Sequence, residues 1–196
     1  MDAILDRRQR VIEDPPFVRA LLNSTRWAWV WVPIRVYLAW VWLTSGWGKL
    51  TNPAWMESGQ ALRSFWERAL ATEPRPVITY DWYRAFIQYL YDTQSWTWFA
   101  KVIVFGELAV GLGLLLGAFT GIAAFGGMLL NFNFLLAGTV STNPVLFVLE
   151  LLVLLAWKVA GYWGIDRWLL PTLGVPWRLS RPAEPVAPPA AAAGTP

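Results

Sequence analysis

Four long apolar stretches constrain this chain more than any other feature. Each is nearly long enough to cross a bilayer, yet each holds polar groups that a bilayer rejects. They run over residues 27–47, 99–118, 119–140 and 145–163. A helix of about 20 apolar residues covers about 30 Å of hydrocarbon. Inside the stretches sit Arg35, Glu107, Asn131, Asn133, Glu150 and Lys158. Ionisable side chains at that depth are costly, so they turn towards the protein interior and mark a site. The pattern predicts an all-α membrane protein. It would be a four-transmembrane-helix bundle, one domain with one core, and a long, partly helical first extramembrane loop.

What is missing from the composition narrows the chemistry. The chain of 196 residues has no cysteine and no histidine. Iron–sulfur clusters, the common haem ligations and typical zinc sites draw their ligands from those two residues, so none of them is expected. Disulfides are impossible, and cysteine usage says nothing about compartment. A net charge of +3 is too small and too dispersed for nucleic acid. The first 26 residues are charged, without a continuous apolar core. No small-residue cleavage site follows the first apolar stretch, so the first span is expected to be a retained anchor.

Three regions follow. Residues 1–26 form an N-terminal cytoplasmic segment with Arg7, Arg8, Arg10, Arg19 and Arg26; residues 27–170 form the membrane domain; residues 171–196 form a Pro/Ala-rich tail that cannot build a core. An even number of spans puts both termini on one side. The bias of arginine on the flanks, with Arg167, Arg178 and Arg181 at the far end, favours a multi-pass cell-membrane protein with both termini in the cytoplasm. The first loop is nearly as basic and weighs against that orientation.

This loop, residues 48–98, is long for a connection, and long connections tend to carry structure or function. Residues 54–70 read as an amphipathic helix, with Trp55, Leu62, Phe65, Trp66 and Ala69 on one side and Asn52-Pro53 as the start signal. Residues 81–91 read as a second short helix. Its aromatics suit an interfacial cap, which an aromatic belt without any ligand also explains.

The polar residues sort by helix face. Arg35, Ala39, Trp42, Gly46 and Lys49 form one stripe at helical spacing. Arg35 and Lys49 either snorkel at the two interfaces or serve a site. Glu107 lies about eight residues into its stretch, roughly 12 Å deep at about 1.5 Å per residue. Its side chain is too short to reach water, so it needs a cation, a proton or a wet cavity. Gly113 and Gly117 make a G-x-x-x-G pair that allows a neighbouring helix to approach. Asn131 shares a face with Ala124, Gly127 and Gly138, and Asn133 points nearly opposite, with Gly126 and Ala137. Either asparagine can bond a neighbouring helix or a ligand carbonyl. Glu150 enters from the same side as Glu107. Lys158 lies near the far end and snorkels, and Asp166 is placed to partner Arg35. Alternating chain direction puts Lys49, Glu107, Asn131, Asn133 and Glu150 in the outer half, converging on one pocket that opens outward under Ser141-Thr142-Asn143-Pro144.

With those residues set out, the chain resembles the DoxX/DoxD family of small membrane proteins. The pieces are R-V-Y-L-A-W-V-W-L-T-S-G-W-G-K-L at 35–50, G-E-L-A-V-G-L-G-L-L-L-G at 106–117, N-F-N-F-L-L-A-G at 131–138, S-T-N-P at 141–144 and A-G-Y-W-G-I-D-R-W-L at 160–169. The resemblance covers roughly 27–170. It implies a four-helix bundle and a link to membrane thiosulfate:quinone oxidoreductase, with a quinone as ligand; other relatives belong to oxidative-stress complexes. A quinone-reactive subunit would use Glu107 as general acid/base, and Lys49, Asn131, Asn133, Glu150, Arg35 and Trp42 around the quinone. The other readings are a non-catalytic accessory subunit of a larger membrane complex, or a small lipid- or solute-binding membrane protein. The expected partners are the lipid bilayer and other membrane or peripheral subunits.

Overall fold

A computed structural model describes residues 14–175; the expectations for the first residues and for the Pro/Ala tail from residue 176 lie outside them. Every regular element among the described residues is helical. In order these are α1 (Pro16–Asn23), a 3₁₀ segment (Thr25–Val30), α2 (Trp31–Leu50), α3 (Pro53–Met56), α4 (Gln60–Leu70), α5 (Asp81–Asp92), α6 (Trp96–Leu116), α7 (Thr120–Leu136), α8 (Asn143–Leu155), α9 (Trp157–Ala160) and α10 (Asp166–Thr172).

Helix α2 packs on α6, α6 on α7, α7 on α8, and α8 back on α2. Their shared core includes Leu38, Trp42, Val110, Leu114, Ala124, Leu146 and Val153. Small residues permit the tightest contact. A Cβ on Gly46 would stand 2.9 Å from the Leu108 side chain, and one on Gly111 would stand 2.7 Å from Leu43. Each helix thus seats a leucine against the other's bare backbone. Helix α6 is long and apolar enough to cross a membrane; α7 and α8 are shorter apolar helices. Helix α2 matches α6 in length, but four tryptophans, Arg35 and Lys49 dilute its apolar character.

The helix ends differ from the sequence reading in three places. The first apolar stretch begins as a 3₁₀ segment, held by Ser24 Oγ accepting from the Arg26 amide, and α2 starts only at Trp31. The fourth stretch is not one helix: α8 stops at Leu155 and the chain turns into α9. That turn lets Val159 and Ala160 join Ala28 and Trp31 in the core. The third difference concerns the G-x-x-x-G pair. Only Gly113 packs inside a helix, with Ala123 beside it, whereas Gly117 ends α6 in the left-handed conformation, φ 62°.

The long first loop is a folded cap of three helices; the second predicted helix, 81–91, is α5. Asn52 Oδ1 caps α3 by accepting from the Ala54 amide. Gly59, at φ 67°, then breaks the predicted 54–70 helix into α3 and α4. Trp96 of the next element crowds the place where a Gly59 side chain would sit, so the break is built in. Leu62, Trp66, Tyr83, Ile87 and Leu90 form a second core against Ala100 and Ile103 of α6 and Ala137.

Candidate functional site

The stripe on α2 carries the site. Lys49 ends the helix and reaches Glu107 on α6, with Nζ 2.5 and 2.6 Å from the two carboxylate oxygens. Glu107 is wholly buried, and the lysine side chain is 18% exposed. Ser45, one turn before Lys49, accepts a third bond from Nζ at 2.8 Å. The ammonium also lies over the rings of Trp55, at 5.2 Å, and Phe134, at 5.9 Å. A bare carboxylate at this depth is untenable, and this pairing is its physical resolution.

Deeper in, a second carboxylate is held by neutral donors. Trp42 Nε1 donates to Glu150 Oε1 at 2.6 Å, and Asn131 Nδ2 donates to Oε2 at 2.8 Å. Gly127 makes that cluster possible: a Cβ there would stand 2.5 Å from Glu150 Oε1 and 3.1 Å from Trp42 Nε1. Gly127→Ala is therefore expected to cost about 1–3 kcal/mol, as overpacking of a filled core does. Detergent-unfolding midpoints check this; an alanine protein as stable as the parent would mean the cluster has slack.

Lys49, Glu107, Trp42, Ser45 and Asn131 line one cavity of about 320 Å³, closed above by Trp55 and Phe65 of the cap, and by Thr139, Ser141, Thr142 and Asn143. Asn131 Oδ1, fully buried, has no hydrogen-bond partner among the described residues. Buried polar atoms are rarely left unpaired, so this orphaned oxygen, on a residue that lines the cavity, is an acceptor in want of a donor.

The structure places two of the candidate quinone-binding residues away from this cavity. Asn133 faces away. Its Nδ2 donates to Leu129 O at 2.8 Å, and its backbone carbonyl and Oδ1 accept from the Tyr83 hydroxyl at 3.0 and 3.3 Å. Burial pushes the Tyr83 phenol up to about 12, so it stays a neutral donor. Its contribution to stability should be whole below pH 10.0, the ordinary value, and be lost as pH climbs towards about 12. Phenolate absorbance during alkaline unfolding checks this: Tyr83 ionises with unfolding, after the exposed tyrosines.

Arg35 lies at the opposite end of α2, fourteen positions and about 21 Å from Lys49. Buried to 2% exposure, it does not snorkel; Asp166 acts on it as a nearby opposite charge, without a hydrogen bond. It donates to Leu114 O at 3.1 Å and Trp163 O at 3.3 Å. Asp166 instead accepts from the Phe119 and Thr120 amides, at 2.6 and 2.9 Å, and caps α7. Lys158 is exposed, as snorkelling requires. A larger hollow of about 460 Å³ lies against this end, by Thr120 and Asp166. Its walls are otherwise apolar; Asp166 is already engaged there, and Thr120 Oγ1 is buried without a partner among the described residues. Among the described residues no cluster of acidic side chains is arranged to hold a metal ion.

Sequence reasoning missed Ser45 as a partner of Lys49, although its i−4 position was readable. It also missed Trp55, Phe65 and Phe134 as walls, because only docking of the cap brings them there.

The family model described as DoxX matches residues 30–139, more than half of the chain. The chain belongs to the DoxX family. This DoxX protein is thus a helical membrane protein, with α6 as the segment that is clearly able to span. The match runs from the start of α2 to the end of α7 and includes Trp42, Lys49, Glu107 and Asn131; Glu150 of this DoxX chain lies beyond it. No curated protein and no solved structure matches the chain.

Proposed function

We propose that this DoxX protein is the quinone-reactive subunit of a membrane oxidoreductase of the thiosulfate:quinone type. Residues 27–170 would form a four-span bundle with both termini in the cytoplasm and the Lys49–Glu107 cavity at the outer face. Two rings of exposed aromatics support the spanning arrangement. Trp27, Trp29, Trp163 and Trp168 lie at one end; Trp47, Tyr80, Trp82, Tyr89 and Trp98 lie at the other. Trp29 and Trp47 are eighteen positions apart, roughly 27 Å along a helix, close to a hydrocarbon thickness. Between the rings the exposed side chains of α6, α7 and α8 include Val102, Phe105, Leu112, Ile122, Phe125, Leu129, Phe132, Val148 and Leu152.

The observation that carries the quinone reading is the pairing of opposite hydrogen-bonding capacities in one aromatic-walled cavity. A quinone ring needs donors at its carbonyls, and the quinol formed from it needs acceptors at its hydroxyls. Lys49 Nζ is a donor whose three N–H groups go to Ser45 and the two Glu107 oxygens, so a ring carbonyl would have to take the bond now made to Ser45; Asn131 Oδ1 is a buried acceptor without a partner among the described residues. A volume of about 320 Å³ lies at the small end of ligand sites, suited to a ring. Two thiosulfate ions lose one electron each and join through a new sulfur–sulfur bond. The two electrons and two protons then convert the quinone to the quinol. Lys49 would deliver one proton to a ring oxygen and, recharged from the outer water by way of the Glu107 carboxylate, would deliver the second in the same manner, completing the quinol. Thiosulfate oxidation is assigned to a partner subunit.

Protein purified from native membranes should release close to one quinone per chain on solvent extraction, and Asn131→Leu should lower that yield at least tenfold. A chain that neither retains nor binds quinone in any lipid environment would sink the proposal.

A further inference from the structure

A second cavity adjoins the first. About 290 Å³ in size, it lies between the cap helices α4 and α5 and the helices α6 and α7. Leu62, Phe65 and Phe134 line both cavities, so one set of side chains forms the partition. Phe65 and Phe134 meet edge to face across it, with centroids 6.3 Å apart and planes at 86°.

The two chambers differ in chemistry. The first has Lys49, Glu107 and the free carbonyl oxygen of Asn131. The second has Tyr83 and Asn133 as its polar members, and these bond each other and the Leu129 carbonyl. Trp66 adds an indole N–H; the rest is aromatic and aliphatic wall, and no charged residue lines the chamber. Its outer edge is formed by Phe86 of α5 and Leu129 of α7, both well exposed. Leu129 sits in the middle of α7 between Phe125 and Phe132, which are also exposed. The seam between cap and α7 therefore opens onto the apolar band of the surface, away from the hydroxyl-bearing turn over the first chamber.

We propose that the second cavity is a lateral port for the isoprenoid tail of the quinone, so that the polar chamber is loaded from the bilayer past Leu62, Phe65 and Phe134. This rests on the quinone reading above and adds the ligand class: a lipid-borne, tailed quinone rather than a water-soluble one. An apolar annex that shares one wall with the ring chamber has no use for a tail-free ring. A tail leaving lipid gains little from burial itself, because lipid is as apolar as the port. Its contribution is to hold the ring in register with Lys49 and Asn131.

The test compares a dimethoxy-methyl-benzoquinone bearing a decyl tail with the same ring lacking it, by equilibrium binding to the full chain in nanodiscs. Leu129→Trp narrows the seam from α7, and Phe86→Trp narrows it from α5; both positions are exposed, so folding tolerates them. Each variant is expected to weaken the tailed quinone at least tenfold while the tail-free ring binds within about twofold of the parent. Tailed binding that is unchanged in both variants, or equal weakening of both ligands, would overturn the port. If the parent chain binds neither ring, the quinone reading itself is wrong, and the port falls with it.

Discussion

Lys49→Met is expected to destabilise the protein by about 3–5 kcal/mol, the largest effect of any single substitution in the upper site. The magnitude follows from what remains behind. Glu107 keeps no exposed surface, and Lys49 touches both of its oxygens. Removing one partner of a buried pair leaves the other without compensation, which costs more than the pair ever contributed. Lost cation–π contacts to Trp55 and Phe134 add only about 0.5–1 kcal/mol each, so the stranded carboxylate dominates. The double variant Lys49→Met with Glu107→Gln should recover most of the loss, because a neutral amide needs no counter-ion. Reversible unfolding in mixed detergent, followed through the four variants of the cycle, measures the coupling directly. A Lys49→Met protein as stable as the parent would show that the pair is idle.

The same cycle separates stability from chemistry. The double variant keeps the shape of the cavity but has no titrating donor at its mouth. If proton delivery to a quinone oxygen is the role of the pair, turnover in the double variant should stay about 10²–10⁴ below the parent even where stability returns, the range for losing a general acid. A neutral pair that turns over normally would leave Lys49 and Glu107 as structure alone.

How much of this was legible beforehand depends on the kind of contact. The stripe Arg35, Ala39, Trp42, Gly46, Lys49 needed only the helical period, and Arg35, Ala39, Trp42 and Gly46 are buried as it requires. That Glu107 needed a cation followed from depth, and Lys49 was the available one on a facing helix. The opposite faces of Asn131 and Asn133 were also readable, but their joint membership in one pocket was not: depth alone groups them, and rotation about α7 parts them. The break of the 54–70 helix at Gly59 depends on Trp96, a residue distant in sequence. The walls of both cavities come from cap residues whose docking no local pattern encodes. Asp166 illustrates the hardest case. A carboxylate near an arginine in order of depth suggests an ion pair, but the α6–α7 turn offers two unpaired amides, at Phe119 and Thr120, in a better geometry.

Arg35→Leu should also destabilise the protein, for a different reason and at the other end of the molecule. The last turn of α6 leaves carbonyls without intrahelical partners. Leu116 O accepts from the Ile165 amide and Gly117 O from the Asp166 amide. Leu114 O is served by Arg35 Nη1, while Nη2 holds Trp163 O, so one guanidinium ties α2, the end of α6 and the turn before α10. Gly117 leaves it room, since any side chain there would collide with the guanidinium. A leucine strands the buried Leu114 carbonyl, a loss of about 1–3 kcal/mol, whereas the carbonyl of the exposed Trp163 has water to turn to and adds little. Arg35→Lys should not restore it, because a single ammonium lacks the planar fork that reaches two acceptors at once. Quinone affinity, measured under conditions where the Arg35→Leu protein is folded, should stay within about twofold of the parent, since Lys49 lies about 21 Å away. A large fall in affinity without a fall in stability would reverse this assignment and return Arg35 to the ligand site.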